Sequence, residues 1–275
     1  MASISWQKGH LHFTDEGRGT AIILLHGFCE SSALWDDWKE ELLEDGFRIV
    51  CIDLPGFGDS TARAQTIEEH AKAVSAVTTA IKIKQGVIIG HSMGGYVCLA
   101  VGAQSPQWLI GLGLFHSHPF ADTVSQREAR HKSIDFIRRN GHLHYVKQLI
   151  PRLFARNAGT SASFRRDLLI LRASRSAPEH ITDAITAMAS RQDRSEWLRT
   201  FPRPVLFING EKDPIYTDEQ RQGQLALPAV SQVCLLNRSG HMGMIEEARV
   251  TQRAVRQFVR FCVAWQPGIR THRVG

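Results

Sequence analysis

The sequence has no CxxC pair and no cysteine spacing of the zinc-binding kind, and its five cysteines, Cys29, Cys51, Cys98, Cys234 and Cys262, are odd in number and widely separated. That pattern argues against a disulfide framework and a cysteine-ligated metal; free thiols in the core are expected. No apolar run approaches the roughly 20 residues that a membrane-spanning helix needs. The N-terminal Met1-Ala2-Ser3-Ile4-Ser5-Trp6-Gln7-Lys8 lacks a charged region followed by an apolar stretch, so a cytoplasmic protein with no membrane partner is expected. Internal repeats and recognised nucleic-acid motifs are absent too, and nucleic acid is not an expected partner.

What is present is an ordinary globular composition: 275 residues, 43% apolar and 22% charged, enough for one large core with an insertion. The formal charge of +6 is uneven, because residues 120–199 hold 15 Lys or Arg against 8 Asp or Glu. A solvated helical surface accounts for such a face. Short apolar runs alternate with amphipathic stretches, the pattern of βα units on a mainly parallel sheet. Trp6 to Thr14 reads as an opening β segment, turning at Asp15-Glu16-Gly17-Arg18-Gly19. Strands are expected at 21–25, 47–52, before Ser92, at 109–115, 204–209 and 232–236, with a helix over 67–81. From about Pro119 to Leu198 the pattern is helical throughout, which reads as an inserted cap. The expected division is a core of residues 1–118 and 199–275 with a helical cap at 119–198. Val250, Ala254, Phe258, Phe261 and Trp265 recur at steps of three and four and form the expected apolar face of a closing helix; the last ten residues read as a loose tail.

The most informative segment is Gly86-Val87-Ile88-Ile89-Gly90-His91-Ser92-Met93-Gly94-Gly95. A β-rich run ends in G-x-S-x-G and a helical pattern follows at once, the context a nucleophile elbow requires. The turn from strand to helix is too sharp for side chains two residues either side of the serine, and Gly90 and Gly94 remove them. Serine needs a base, and the base an orienting carboxylate. In open parallel sheets such groups sit just after strand ends. Asp213 follows the 204–209 run within Asn209-Gly210-Glu211-Lys212-Asp213-Pro214, and His241 follows the 232–236 run within Asn237-Arg238-Ser239-Gly240-His241-Met242. Asp122, beyond the strand ending near Phe115, is the alternative acid.

Four motifs, His26-Gly27-Phe28, Asp53-Leu54-Pro55-Gly56-Phe57-Gly58-Asp59-Ser60, the Ser92 elbow, and the Asp213 and His241 turns, stand in the order and spacing of the α/β-hydrolase fold superfamily. The chain resembles its esterase, lipase and lactonase members over roughly residues 10–265 apart from the cap. The resemblance implies a mainly parallel doubly wound sheet, with Ser92 as nucleophile, His241 as base and then acid, and Asp213 as orienting acid. The backbone N–H groups of Phe28 and Met93 would form the oxyanion hole. It implies hydrolysis of a carboxylic ester, thioester or lactone with no cofactor. Related members use the same triad for C–C bond hydrolysis, perhydrolysis or acyl transfer, and a ligand-binding protein that has kept the fold without turnover is the rival of another class. His26 and His91 are expected to support loops. The pairs His10/His12, His116/His118 and His142/His144 have no acidic or cysteine ligands clustered in sequence, so no metal is expected. Asp53 with its following Gly-x-Gly is read as bracing a loop. The basic cap raises the expectation of a small-molecule substrate bearing a carboxylate or phosphate.

Overall fold

The computed structural model describes residues 2–156 and 160–265. Its centre is one eight-stranded sheet: β1 (Ala2–Trp6), β2 (Gly9–Gly17), β3 (Ala21–Leu25), β4 (Arg48–Ile52), β5 (Gly86–His91), β6 (Leu109–Phe115), β7 (Val205–Gly210) and β8 (Ser231–Leu236). The spatial order is β1-β2-β4-β3-β5-β6-β7-β8. β1 and β2 pair antiparallel, as do β2 and β4, and every later pairing is parallel. The opening β segment is therefore two strands rather than one. Gln7, at φ +51, turns the chain between them, and Trp6 pairs with Gly9. β3 and β5, the innermost pair, are buried at every position, as apolar runs covered on both faces require.

Eleven helices are described: α1 (Asp36–Glu44), α2 (Ile67–Ala80), α3 (Met93–Ala103), α4 (Val124–Asn140), α5 (His142–Leu149), α6 (Thr160–Ala173), α7 (Pro178–Ala189), α8 (Ser195–Thr200), α9 (Asp218–Gly223), α10 (Gly243–Glu246) and α11 (Ala248–Ala264). α2 and α3 cover one face of the sheet, while α1 and α11 cover the other. α3 is buried on all sides from Met93 to Gly102, consistent with a helix that has no charged face to present. α2 starts at Thr66, whose hydroxyl accepts the Glu69 N–H, and α4 starts with a reciprocal Thr123/Gln126 capping box. Between β6 and β7 the described residues form helices α4–α8 and a 3₁₀ turn at Ile150–Leu153, with no strand.

The closing helix is offset from its expected face. Ala254 and Phe258 are buried with Val255, Val259 and Cys262, whereas Val250 and Phe261 are exposed. Thr251 and Gln252 take the inward places, because they bond α1: the Trp38 indole N–H donates to the Thr251 hydroxyl at 2.9 Å, and the Gln252 amide donates to the Trp38 carbonyl at 2.9 Å. All five cysteines are free thiols, four of them buried and Cys234 partly so. Among the described residues no helix is long and apolar enough to cross a membrane. The expected tail lies outside the described residues.

Candidate active site

The chain leaves β5 at His91 and enters α3 at Met93, so Ser92 alone makes the turn. It does so at φ +50 and ψ −115, a backbone region that costs a non-glycine residue about 1–3 kcal/mol. A Cβ on Gly90 would run into the Gly94 carbonyl carbon, and one on Gly94 would stand 2.6 Å from the His26 carbonyl oxygen. Both glycines are therefore steric requirements of the turn. Ser92 opens into a cavity of ≈ 200 Å³ that His241, Phe28 and His91 also line.

His241 is buried on the loop after β8. Its Nδ1–H donates to Asp213 Oδ2 at 2.7 Å, which leaves Nε2 as the free lone pair. Asp213 Oδ1 accepts the Ile215 N–H at 2.9 Å, fixing the carboxylate on the loop after β7. Burial alone would raise Asp213, but the electrostatic pull of the His241 imidazole and the N–H groups of His116 and His241 prevail and hold it far below the usual carboxylate range. The alternative acid, Asp122, is engaged elsewhere: Arg130 and Arg191 both bond its carboxylate.

Two further histidines hold this arrangement. His116, at φ +47 just past β6, lies with Nδ1 3.1 Å from Asp213 Oδ2 and Nε2 3.0 Å from the Gly243 N–H. A carboxylate only accepts and an amide N–H only donates, so Nδ1 carries the proton and Nε2 does not. The Gly210 N–H, 3.3 Å from Nδ1, yields that nitrogen to the nearer carboxylate. Burial keeps His116 neutral, pushed down to about 4 despite the Asp213 charge. His91 is the opposite case. Its Nδ1–H donates to Glu30 Oε2 at 2.8 Å and its Nε2–H to the His241 carbonyl at 2.8 Å, so both nitrogens need protons. Burial opposes that charge, but Glu30 outweighs it, raising His91 while Glu30 itself is lowered. Glu30 Oε2 also accepts the Gly27 N–H at 2.6 Å. One buried ion pair thus ties the Gly27-Phe28 loop to the backbone of His241.

Asp53 accepts the Ser32 N–H at 2.6 Å, the Asp59 N–H at 3.0 Å and the His12 Nδ1–H at 2.8 Å, which braces its turn. His26 bridges two loops, donating to the Gly27 carbonyl and accepting the Leu54 N–H. The histidine pairs separate: His10 bonds Thr61, His12 bonds Asp53, and His142 bonds the Ser174 carbonyl. His116, Asp213 and His241 do bring three ligand atoms within 4.8 Å of one another, and their hydrogen bonds account for that closeness. Sequence reasoning missed Glu30, His116 and Arg130. His116 stands just after a strand, where the rule that picked out Asp213 and His241 also applies; paired with His118, it is weighed in the sequence only as a metal ligand, and that role is set aside. Several basic residues of 120–199 are paired with acids, Arg165 with Asp37, Arg194 with Glu68 and Arg199 with Glu196.

Residues 20–248 match the model of the alpha/beta hydrolase fold family. Over 247 residues the chain is 27% identical to the dihydrolipoyllysine-residue acetyltransferase component of an acetoin cleaving system from Pseudomonas putida. That match covers 88% of this chain and 64% of the relative, so the chain spans less than two thirds of that protein's length. It is 28% identical over 245 residues to a pimeloyl-[acyl-carrier protein] methyl ester esterase from Vibrio vulnificus, covering 86% of this chain and 93% of the relative. A malate-bound thermophilic esterase from Thermogutta terrifontis superposes with a TM-score of 0.86 at 27% identity, covering 92% of this chain and 94% of that one. The chain belongs to the alpha/beta hydrolase fold family and is an enzyme of that family.

Proposed function

We propose that the enzyme hydrolyses a carboxylic ester, thioester or lactone through an acyl-enzyme on Ser92. The observation that carries this reading is a serine held at φ +50 on a strand-to-helix turn, in one cavity with a histidine whose Nδ1 is committed to a buried carboxylate. His241 Nε2 takes the hydroxyl proton as Ser92 Oγ attacks the carbonyl carbon. It returns that proton to the leaving oxygen or sulfur, and a water then repeats the sequence on the acyl-enzyme. Asp213 orients the imidazole and balances its transient charge. The N–H groups of Phe28 and Met93 receive the tetrahedral oxyanion, the second with the N-terminus of α3 behind it. Helices α4–α8 act as the cap, and three of them, α4, α5 and α7, supply Arg130, Tyr145, Leu149 and Met188 to the cavity wall. The Vibrio and Thermogutta relatives, named as esterases, support the reaction class.

A fluorophosphonate probe tests the reading, because it labels only an activated serine. Stoichiometric labelling of wild type at Ser92, lost in folded Ser92→Ala and His241→Ala, is expected. Failure to label, with a native circular dichroism spectrum, would overturn it.

A further inference from the structure

The cavity at Ser92 is not uniformly apolar. Arg130, from α4, lines it with Met188 of α7, Tyr96 of α3 and Tyr145 of α5. The guanidinium is turned edge-on to Asp122, with Nε on Oδ2 and Nη2 3.3 Å from Oδ1. That leaves Nη1, whose partner is the Met188 thioether at 3.5 Å. A thioether is a weak acceptor and leaves a guanidinium N–H poorly satisfied. Arg130 and Met188 both line the cavity into which Ser92 opens, which places their weak contact at its wall.

Arg130 also has to share its carboxylate. Asp122 is shared by two guanidiniums: Arg191 Nη1 bonds Oδ1, and its carbon lies 4.1 Å over the Tyr96 ring. Neither guanidinium therefore has this one carboxylate to itself. His118 adds no charge here, since burial and then Arg191 push that imidazole down to about 3. A half-buried guanidinium attracts an anion more strongly than a fully solvated one does. Ser92 and Arg130 line the same cavity of ≈ 200 Å³, so a short chain can reach both.

We propose that Arg130 Nη1 forms a carboxylate subsite opposite Ser92, so that the preferred substrate is an ester of a short dicarboxylic acid whose second carboxylate is free. The inference rests on the Ser92 reading and narrows its substrate class. The free carboxylate displaces the Met188 contact and takes a charge-assisted bond, while the ester carbonyl reaches Ser92 at the other end of the same short chain.

The test compares monomethyl glutarate with methyl pentanoate, its neutral counterpart, by kcat/KM on wild type, Arg130→Gln, Arg130→Lys and Met188→Glu. Wild type should favour the anionic ester by roughly tenfold or more, the magnitude of one hydrogen bond to a charged group. Arg130→Gln should lower that ratio by at least the same factor and Arg130→Lys should recover part of it. Because Arg130 also holds Asp122, Met188→Glu supplies a second route: it leaves both arginines in place and fills the subsite with a tethered carboxylate, so the preference should vanish. Turnover of the neutral ester with a wild-type ratio of one or less, or a ratio unmoved in Arg130→Gln and Met188→Glu, overturns the subsite and leaves the Ser92 reading standing. Turnover of neither ester overturns both.

Discussion

Two buried histidine–carboxylate pairs stand on either side of His241, and they carry opposite charge states. Glu30–His91 is an ion pair, whereas His116 is neutral beside Asp213. Both imidazoles are fully enclosed and both touch a carboxylate, so burial and the nearby charge pull against each other on each. The second nitrogen tips the balance. On His91 it meets the His241 carbonyl, an acceptor, and must carry a proton; on His116 it meets the Gly243 N–H, a donor, and must not. The division of labour follows. The neutral His116 shares Asp213 with His241 without removing the carboxylate's charge, and the charged His91 fastens the backbone on which His241 sits.

Breaking either carboxylate separates the two roles. Asp213→Asn should lower kcat on the order of 10⁴-fold with the fold intact, because the imidazole loses its orienting acceptor. Glu30→Gln should instead destabilise, by about 3 kcal/mol in urea denaturation, since it strands the His91 charge in the core. That stabilisation has its own pH window. Glu30 is lowered from 4.5, so its share is complete above that value and lost as pH falls through the folded one. His91 is raised from 6.5, so its share is complete below that value and lost as pH rises through the folded one. The difference between wild type and Glu30→Gln should therefore be largest between pH 4.5 and 6.5 and shrink on both sides. Histidine ¹⁵N spectra sharpen the contrast: at pH 6 both His91 nitrogens should be protonated, while His116 takes its second proton only near pH 4.

His116→Asn tests the positioning role more gently, as asparagine tolerates the left-handed backbone but falls short of Asp213. Loss of one charge-assisted bond should lower kcat roughly tenfold with KM little changed. A parallel fall in thermal stability with kcat intact would reduce His116 to a packing residue. The smallest effect belongs to His70, another buried imidazole, for which neither nitrogen finds a partner among the described residues. Burial pushes it down to about 3, so unfolding takes up a proton below pH 6.5 and stability falls with pH there. His70→Leu should flatten the dependence of unfolding free energy on pH by about 1.4 kcal/mol per unit between pH 4 and 6.

Much of this architecture is legible in local sequence, because local sterics write it. The elbow glycines are demanded by one sharp turn, and the strand at 109–115 is as expected because its apolar residues are covered on both faces. What escapes a linear reading depends on partners distant in the chain. Nothing near Glu30 announces His91, 61 positions away, and nothing near His116 announces Asp213, 97 positions away. The opening hairpin was hidden by a single positive-φ residue, Gln7, where a glycine would have signalled the turn. The inward side of α11 was hidden because Thr251 and Gln252 are polar and are buried for their bonds to Trp38.

Acid-quenched intact-mass spectrometry during turnover of a p-nitrophenyl ester addresses the covalent role of Ser92 most directly. The account predicts one acyl adduct per chain, mapped to the peptide carrying Ser92 and absent from folded Ser92→Ala, which also loses turnover. Wild-type turnover surviving in Ser92→Ala, or an adduct mapped to another residue, would contradict it.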